Sequence, residues 1–323
     1  MKIAIIDLGT NTFNIFIAEK FPDKTVRKLY KSKISVKLGE GGINKNFIEE
    51  KPFKRGIRAL QRHKRTIEKF DVEKIVAFAT SAIRGASNGK DFILAAKEKA
   101  GIDVQIISGE REAELIYFGV RSAVKMNDTP SLIMDIGGGS TEFIIANKKE
   151  ILWKQSFLLG VARLMDKFKP SDPITKEEIE QIQNYLEQEL QPLFSAVSSL
   201  SHGRGTEGEV RGAGGEVELI GSAGSFDSLA EMIAHLLYDI SIMKGITEYD
   251  FNLDDCEKIY NVILRSTIKE RMHMKGLSKM RVDMIVVSAI FVDFVFLRLG
   301  LTKMRLSKYS LKEGVLWELM NKK

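Results

Sequence analysis

Residues 5–20 read IIDLGTNTFNIFIAEK, and residues 133–148 read IMDIGGGSTEFIIANK. The two stretches align without a gap at an offset of 128 residues. Asp7 matches Asp135, Gly9 matches Gly137, Thr12 matches Ser140, Ile17 matches Ile145, Ala18 matches Ala146 and Lys20 matches Lys148. Each copy is an apolar run, then Asp, then a loop of Gly, Ser, Thr or Asn, then a second apolar run. That pattern is a β-hairpin with an unusually polar turn. Two copies half a chain apart predict two similar domains, each opening on the same hairpin.

The length agrees: 323 residues suit two domains of about 150 residues each. The boundaries read as 1–124 and 125–307, with a last helix, about 308–323, placed to pack back on the first domain. The segments after each hairpin alternate between helical and strand patterns. Phe53, Ile57, Leu60, Ile67 and Phe70 share one helical face. Strands are expected at 74–80 and 102–108, with helices around Phe92–Ala95, ended by Gly101, and over 110–124. In the second half, Thr175 and Glu178 form a capping box opening a helix that carries Ile179, Ile182, Leu186, Leu190, Leu193 and Val197. Residues 217–224 read as a strand leading to a helix from Asp227, and three helices, a strand at 304–307 and a helix over 310–321 complete the chain. The glycine-rich run 201–215 reads as a mobile surface loop. Strand–helix alternation gives an α/β class.

Composition narrows the function. Hydrophobic residues make up 44% and charged residues 28%, the balance of a globular protein. The most apolar stretch, Ile285 to Leu299, is broken by Asp293 and Arg298, so it reads as a buried helix and not a membrane span. The N-terminal MKIAIIDLGTNTF carries Asp7 and no small-residue cleavage site, so it reads as a first strand and not a signal peptide. The one cysteine, Cys256, has no partner for a disulfide; a reducing cytoplasm is the expectation. Two preceding Asp residues would raise its thiol pKa, which argues against a nucleophile. His63, His202, His235 and His273 have no ligand spacing, and neither a His-Asp dipeptide nor a G-x-x-x-x-G-K-[ST] loop occurs. The net charge of +6 favours an anionic ligand without identifying it.

The loops DLGTNT (7–12) and DIGGGST (135–141) offer closely spaced N–H groups and hydroxyls in a backbone that glycine opens to close approach. Such turns form anion-binding concavities, and the Asp heading each loop can hold a cation directly or through water. Two of them facing each other would clamp a phosphate chain from both sides. ATSAIRGASNG (79–89) and ISGEREAELIYFGV (107–120) put polar groups at strand ends, where ligands of open α/β sheets sit. Arg84 has the fork to hold a phosphate, although a solvated helix residue reads the same way. Glu112 lies in the first turn of a helix, where the dipole favours its charge in any case. IGSAGSFDS (220–228) is a strand, glycine turn and helix start, a further candidate anion site.

In order, DLGTNT, ATSAIRxAxN, SGEREAELIYFGV, DIGGGSTE, LLGVARL (158–164), GSAGSFD and LKEGVL (311–316) resemble the exopolyphosphatase and guanosine pentaphosphate phosphatase family. The resemblance runs from Asp7 to Leu316. It implies a fold of two ribonuclease-H-like domains of the actin-like ATPase superfamily with a cleft between them. It also implies Glu112 as the base that activates water, Arg84 neutralising the transferred phosphoryl group, and Thr10, Asn11, Thr12, Gly137, Gly138, Gly139, Ser140 and Thr141 cradling phosphates. Asp7, Asp135 and Glu142 would position Mg²⁺ and water. The implied substrate is inorganic polyphosphate or guanosine pentaphosphate, with no nucleic-acid or membrane partner and a possible homodimer. Tyr309 and Lys312 replace a Gly and an Arg of the family pattern, Val287 and Ser288 replace a Pro-Gly turn, and the extra C-terminal helical domain of longer members is not expected here. Two other readings stand beside the hydrolase: an ATPase or sugar kinase of the same superfamily, which lacks a glutamate at the place of Glu112, and a phosphate-chain or nucleotide sensor without turnover.

Overall fold

The computed structural model describes residues 1–23, 25–202 and 217–321. The glycine-rich run therefore lies, from residue 203 on, outside the described residues. The first half comprises β1 (Lys2–Leu8), β2 (Thr12–Lys20), β3 (Val26–Ser35), α1 (Glu50–Glu68), β4 (Lys74–Ala79), α2 (Ser81–Gly85), α3 (Gly89–Ala100), β5 (Val104–Ile106) and α4 (Gly109–Ala123). The second comprises β6 (Ser131–Ile136), β7 (Thr141–Ala146), β8 (Ile151–Phe157), α5 (Val161–Phe168), α6 (Lys176–Glu189), α7 (Gln191–His202), β9 (Leu219–Ser222), α8 (Ala223–Leu237), β10 (Glu248–Asp250), α9 (Leu253–Arg265), α10 (Ile268–Arg271), α11 (Ile285–Arg298), β11 (Met304–Ser307) and α12 (Leu311–Asn321).

The repeat extends through both sheets. The first has the order β3-β2-β1-β4-β5 and the second β10-β11-β9-β6-β7-β8. Reversed, the second reads β8-β7-β6-β9-β11, the same sequence of roles with β10 added at one edge. Both hairpins are antiparallel, and both central strands pair in parallel with the strand that follows a crossover. This is the ribonuclease-H-like arrangement, twice. In register, Asp7 lies opposite Asn14 and Asp135 opposite Glu142. The 128-residue offset therefore holds across the strands as well as along them.

The sheets are covered on both faces, and their central strands are apolar without alternation for that reason. Ala4, Ile6 and Leu8 of β1 enter an outer core with α1 and α3, while Ile3 and Ile5 face an inner core. That inner core holds α4 and α12 together with Ile133 and Ile144 of the second sheet. The larger outer core of the second sheet is built by α5 to α9 and α11. Helix α12 docks on α4 by a Phe118–Trp317 stack at 4.4 Å and an Arg111–Glu318 ion pair. Gly119 and Gly314 allow this: a Cβ on Gly314 would stand 1.7 Å from the Leu115 carbonyl oxygen, and one on Gly119 2.1 Å from that of Ser310. The two helices meet backbone to backbone.

Several expected elements differ in extent. The long helix opened by the Thr175–Glu178 capping box stops at Leu190, because Pro192 has no N–H to continue the ladder; α7 starts afresh at Gln191, with Pro192 in its first turn. The strand expected over 102–108 is only three residues, and that over 217–224 only four. Helix α8 begins at Ala223 and not at Asp227, directly off the strand. The capping glycine of α3, Gly101, has φ +61 as expected. Strands β3, β8 and β10 have no counterpart among the sequence expectations. No helix among the described residues is long and apolar enough to cross a membrane.

Candidate active site

The two polar loops lie face to face at the mouths of β1 and β6. Each is closed by the same bond: Gly9 N–H donates to the Thr12 carbonyl at 3.1 Å, and Gly137 N–H to the Ser140 carbonyl at 3.0 Å. They touch. A Cβ on Gly138 would stand 2.6 Å from Asn11 Nδ2, and one on Gly139 2.6 Å from Thr10 Oγ1. Glycine is therefore required in the second loop because the first occupies the space.

Between them opens a cleft of about 240 Å³. Of the residues expected at the site, Asp7, Thr10, Asn11, Thr12, Glu112, Asp135, Gly137, Gly138, Gly139 and Ser140 line it. Thr141 does not: it is fully buried in β7 and its hydroxyl donates to the Leu159 carbonyl, so its side chain braces the fold and cradles no ligand. Arg84 and Glu142 stand one layer back. Arg84 Nη1 donates to Glu112 Oε2 at 2.8 Å and to the Ile107 carbonyl at 3.0 Å, which makes it a partner of the carboxylate and not a solvated helix residue. Glu142 Oε1 accepts from the hydroxyls of Ser140 and Ser156, both at 2.7 Å.

Glu112 is placed by the start of α4, whose N-cap Ser108 accepts from Arg111 N–H. The residue is 7% exposed and lines the cleft. Burial holds its pKa well above the usual glutamate value, with the Glu142 charge adding and the Arg84 charge opposing. Burial also lifts Asp7 to about 6 and Glu142 to about 7, in each case with a contribution from Asp135. Asp135 is raised by burial although the hydroxyls of Ser222 and Ser310 donate to it. Three buried carboxyl groups and the half-buried Asp7, repelling one another, mark a place suited to positive charge. Among the described residues no three acidic or histidine side chains converge as a ready metal cage. The carboxylates of Asp7 and Asp135, which line the cleft, are the groups that could hold a cation there, and a Mg²⁺ site needs only one or two carboxylates with water completing its shell.

Lys31, Lys33, Asn14, Arg281 and Lys308 line the cleft with no expectation from the sequence, while Ser81, Asp227 and Glu313 line it from the segments 79–89, 220–228 and 311–316 that the sequence singles out. Lys312 is known from sequence only as a departure from a family pattern. It is buried among Glu313, Asp7, Asp135 and Asp227; burial lowers its pKa, and those carboxylates outweigh that and raise it. Burial, with like charge from Lys312 or Arg281, lowers Lys31 and Lys33. Among the described residues the Ser81 hydroxyl is buried without a hydrogen-bond partner, a polar group left over for a ligand. Asn14 donates to Asp7 Oδ2 at 2.9 Å. Its signal is positional, since it stands 128 residues before Glu142. Cys256 lies far off in α9, its thiol pushed up to about 12 by burial and Asp255, as its sequence context suggests.

Two ribonuclease-H-like domains closed on a cleft between paired polar loops define the fold class. Within it, residues 16–323 match the Ppx/GppA phosphatase family, and the chain belongs to that family. Membership puts it among the hydrolases of phosphoanhydride bonds. An exopolyphosphatase structure from Cytophaga hutchinsonii is 40% identical, with a TM-score of 0.90, covering 99% of this chain and 98% of that one. A putative exopolyphosphatase of Haemophilus influenzae is 26% identical over 322 residues, 98% of this chain and 91% of the relative. A bifunctional 3-dehydroquinate synthase/phosphatase of Fusobacterium nucleatum is 38% identical over 173 residues, 51% of this chain but only 26% of that longer protein.

Proposed function

We infer that this enzyme releases terminal phosphate from inorganic polyphosphate, with Glu112 drawing a proton from the attacking water. The observation that carries the reading is the Glu112 carboxylate, buried, partnered by Arg84 and open to the cleft between the two loops. A raised pKa suits a base that must take a proton near neutral pH. Arg84 keeps Glu112 oriented and adds positive charge beside the transferred group. Amide N–H groups of the loops and the Ser81 hydroxyl surround the terminal phosphates. Reactions of this kind need positioning and charge stabilisation more than covalent chemistry.

Mg²⁺ would be held by Asp7 and Asp135 at the cleft surface, largely through water, with Glu142 behind them. When bound it neutralises charge on phosphate oxygens.

Guanosine pentaphosphate is the second reading. Polyphosphate is favoured because Lys31, Lys33, Arg281, Lys308 and Lys312 line the cleft, while among the described residues no aromatic ring does. A run of cations suits a long polyanion; a guanine would want a stacking partner. Comparison of kcat/KM for long-chain polyphosphate and guanosine pentaphosphate, with Mg²⁺ present, tests this. Polyphosphate is expected to lead by at least about tenfold, a difference of about 1.4 kcal/mol; a lead for the nucleotide would overturn the preference. Phosphate release from neither would leave the sensor reading.

A further inference from the structure

Arg163 has no part in the chemistry above, yet it is an arginine only 8% exposed and, among the described residues, forms no salt bridge to a carboxylate. Burying such a charge is costly, so its hydrogen bonds need a reason. They lead to the second phosphate loop from behind. The loop's three successive carbonyls are all taken by the start of α5: Gly137 by Val161 N–H at 3.0 Å, Gly138 by Ala162 N–H at 2.8 Å, and Gly139 by Arg163 Nε at 2.8 Å. Gly160 makes the approach possible, since a Cβ there would stand 2.3 Å from the Gly138–Gly139 peptide.

In a trans peptide the carbonyl and the following N–H point in opposite directions. Holding these three carbonyls at the rear therefore aims the N–H groups of Gly138, Gly139 and Ser140 at the cleft. None of those N–H groups has an acceptor among the described residues. The first loop is braced in the same way: Leu38 N–H takes the Thr10 carbonyl, and Val36 and Lys37 N–H take that of Asn11. The two braces follow equivalent strands, β3 and β8. They differ at Asn11 and its equivalent, Gly139. Where the first loop uses backbone on Asn11, the second uses the Arg163 side chain on the equivalent Gly139.

The same guanidinium also leaves its own domain. Arg163 Nη1 donates to the Ile43 carbonyl of the first domain at 2.7 Å and lies 3.5 Å from Asn44 Oδ1. Asn44 returns the contact, its Nδ2 donating to the Arg163 carbonyl and to Asp166. We propose that Arg163 is a positioning residue: it sets the Gly139–Ser140 peptide for phosphate, and makes that setting depend on the two domains being closed. This rests on the function proposed above.

The test uses the full chain with Arg163→Gln, Arg163→Lys and Arg163→Ala. Tripolyphosphate affinity is measured by calorimetry, and kcat and KM by phosphate release. Arg163→Gln is expected to fold and to bind tripolyphosphate about tenfold more weakly, with kcat down about tenfold or more, the scale of a misaimed donor. Arg163→Lys, which keeps the charge but not the fork, should regain part of both. Added guanidinium should restore part of the activity of Arg163→Ala, which a merely structural loss would not allow. A folded Arg163→Gln with wild-type affinity and kcat overturns the proposal. If that variant does not fold, Arg163→Lys decides: unchanged affinity and kcat overturn the proposal, and a loss in both supports it. Should the wild type bind tripolyphosphate yet release phosphate from neither tripolyphosphate nor long-chain polyphosphate, the polyphosphate hydrolase reading fails while Arg163 is still judged on affinity. A wild type that binds none overturns both.

Discussion

Opposing influences act on the Glu112 carboxylate: burial and the Glu142 charge push its pKa up, and the Arg84 guanidinium at 2.8 Å pulls it down. The acid limb of kcat/KM therefore belongs to the Glu112–Glu142 pair and should lie well above the range of an ordinary glutamate. Arg84→Met removes the lowering influence. The limb should move to higher pH and kcat/KM should fall about 100-fold, as for loss of one stabilising group; a limb that stays or moves down in the pH–rate profile contradicts the assignment. Lys31→Ala and Lys33→Ala should each raise KM for long-chain polyphosphate about tenfold, the value of a charge-assisted contact, and change KM for tripolyphosphate less. Asp7, Asp135, Gly9 and Gly137 are legible in the sequence because the repeat prints each pair twice. Asn14 is not, since its partner in the repeat is an acid and its own type signals nothing. Lys31 and Lys33 are hidden for another reason: they stand on β3, which no sequence pattern announces, and only the opposite domain turns its face into a cleft wall.

At the scale of elements, the unread strands share a location. β3, β8 and β10 are sheet edges, where charged and polar residues guard against pairing with other chains and blur the apolar pattern. The central strands, buried on both faces, announce themselves. The break between α6 and α7 was legible in principle at Pro192, whereas the short β5 follows from packing that no local pattern carries. The α4–α12 crossing yields a sharp expectation. Gly314→Ala forces a methyl into the Leu115 carbonyl and should cost about 3 kcal/mol, the upper range of overpacking, seen as a lower midpoint in denaturant. A variant as stable as wild type would mean the helices can part, contrary to the stacked Phe118–Trp317 pair. Because α4 carries Glu112 and α12 carries Lys312, some loss of activity should accompany it.

Across the whole molecule, five layers alternate helices and sheets, and the site lies where the two sheets' equivalent loops meet. Four acids at the cleft with raised pKa values leave a signature in stability. The unfolded chain releases these protons from about pH 4, whereas folded Asp7 and Glu142 hold theirs to about 6 and about 7. The folded state thus binds more protons in that window, and stability falls as pH rises through it. For Glu142 alone the loss is on the order of 3 kcal/mol. Melting temperatures in a chelating buffer should decline from pH 5 to pH 8, and Mg²⁺ should recover more at pH 8, where the carboxylates are free to hold it. A flat profile, or recovery greater at pH 5, would contradict the charge arrangement. The most direct test of the central claim is steady-state phosphate release from long-chain polyphosphate with Mg²⁺, comparing wild type with Glu112→Gln. The account predicts release by the wild type and a loss of about 1,000-fold in the variant, with tripolyphosphate still bound; equal release by the two would contradict Glu112 as the base.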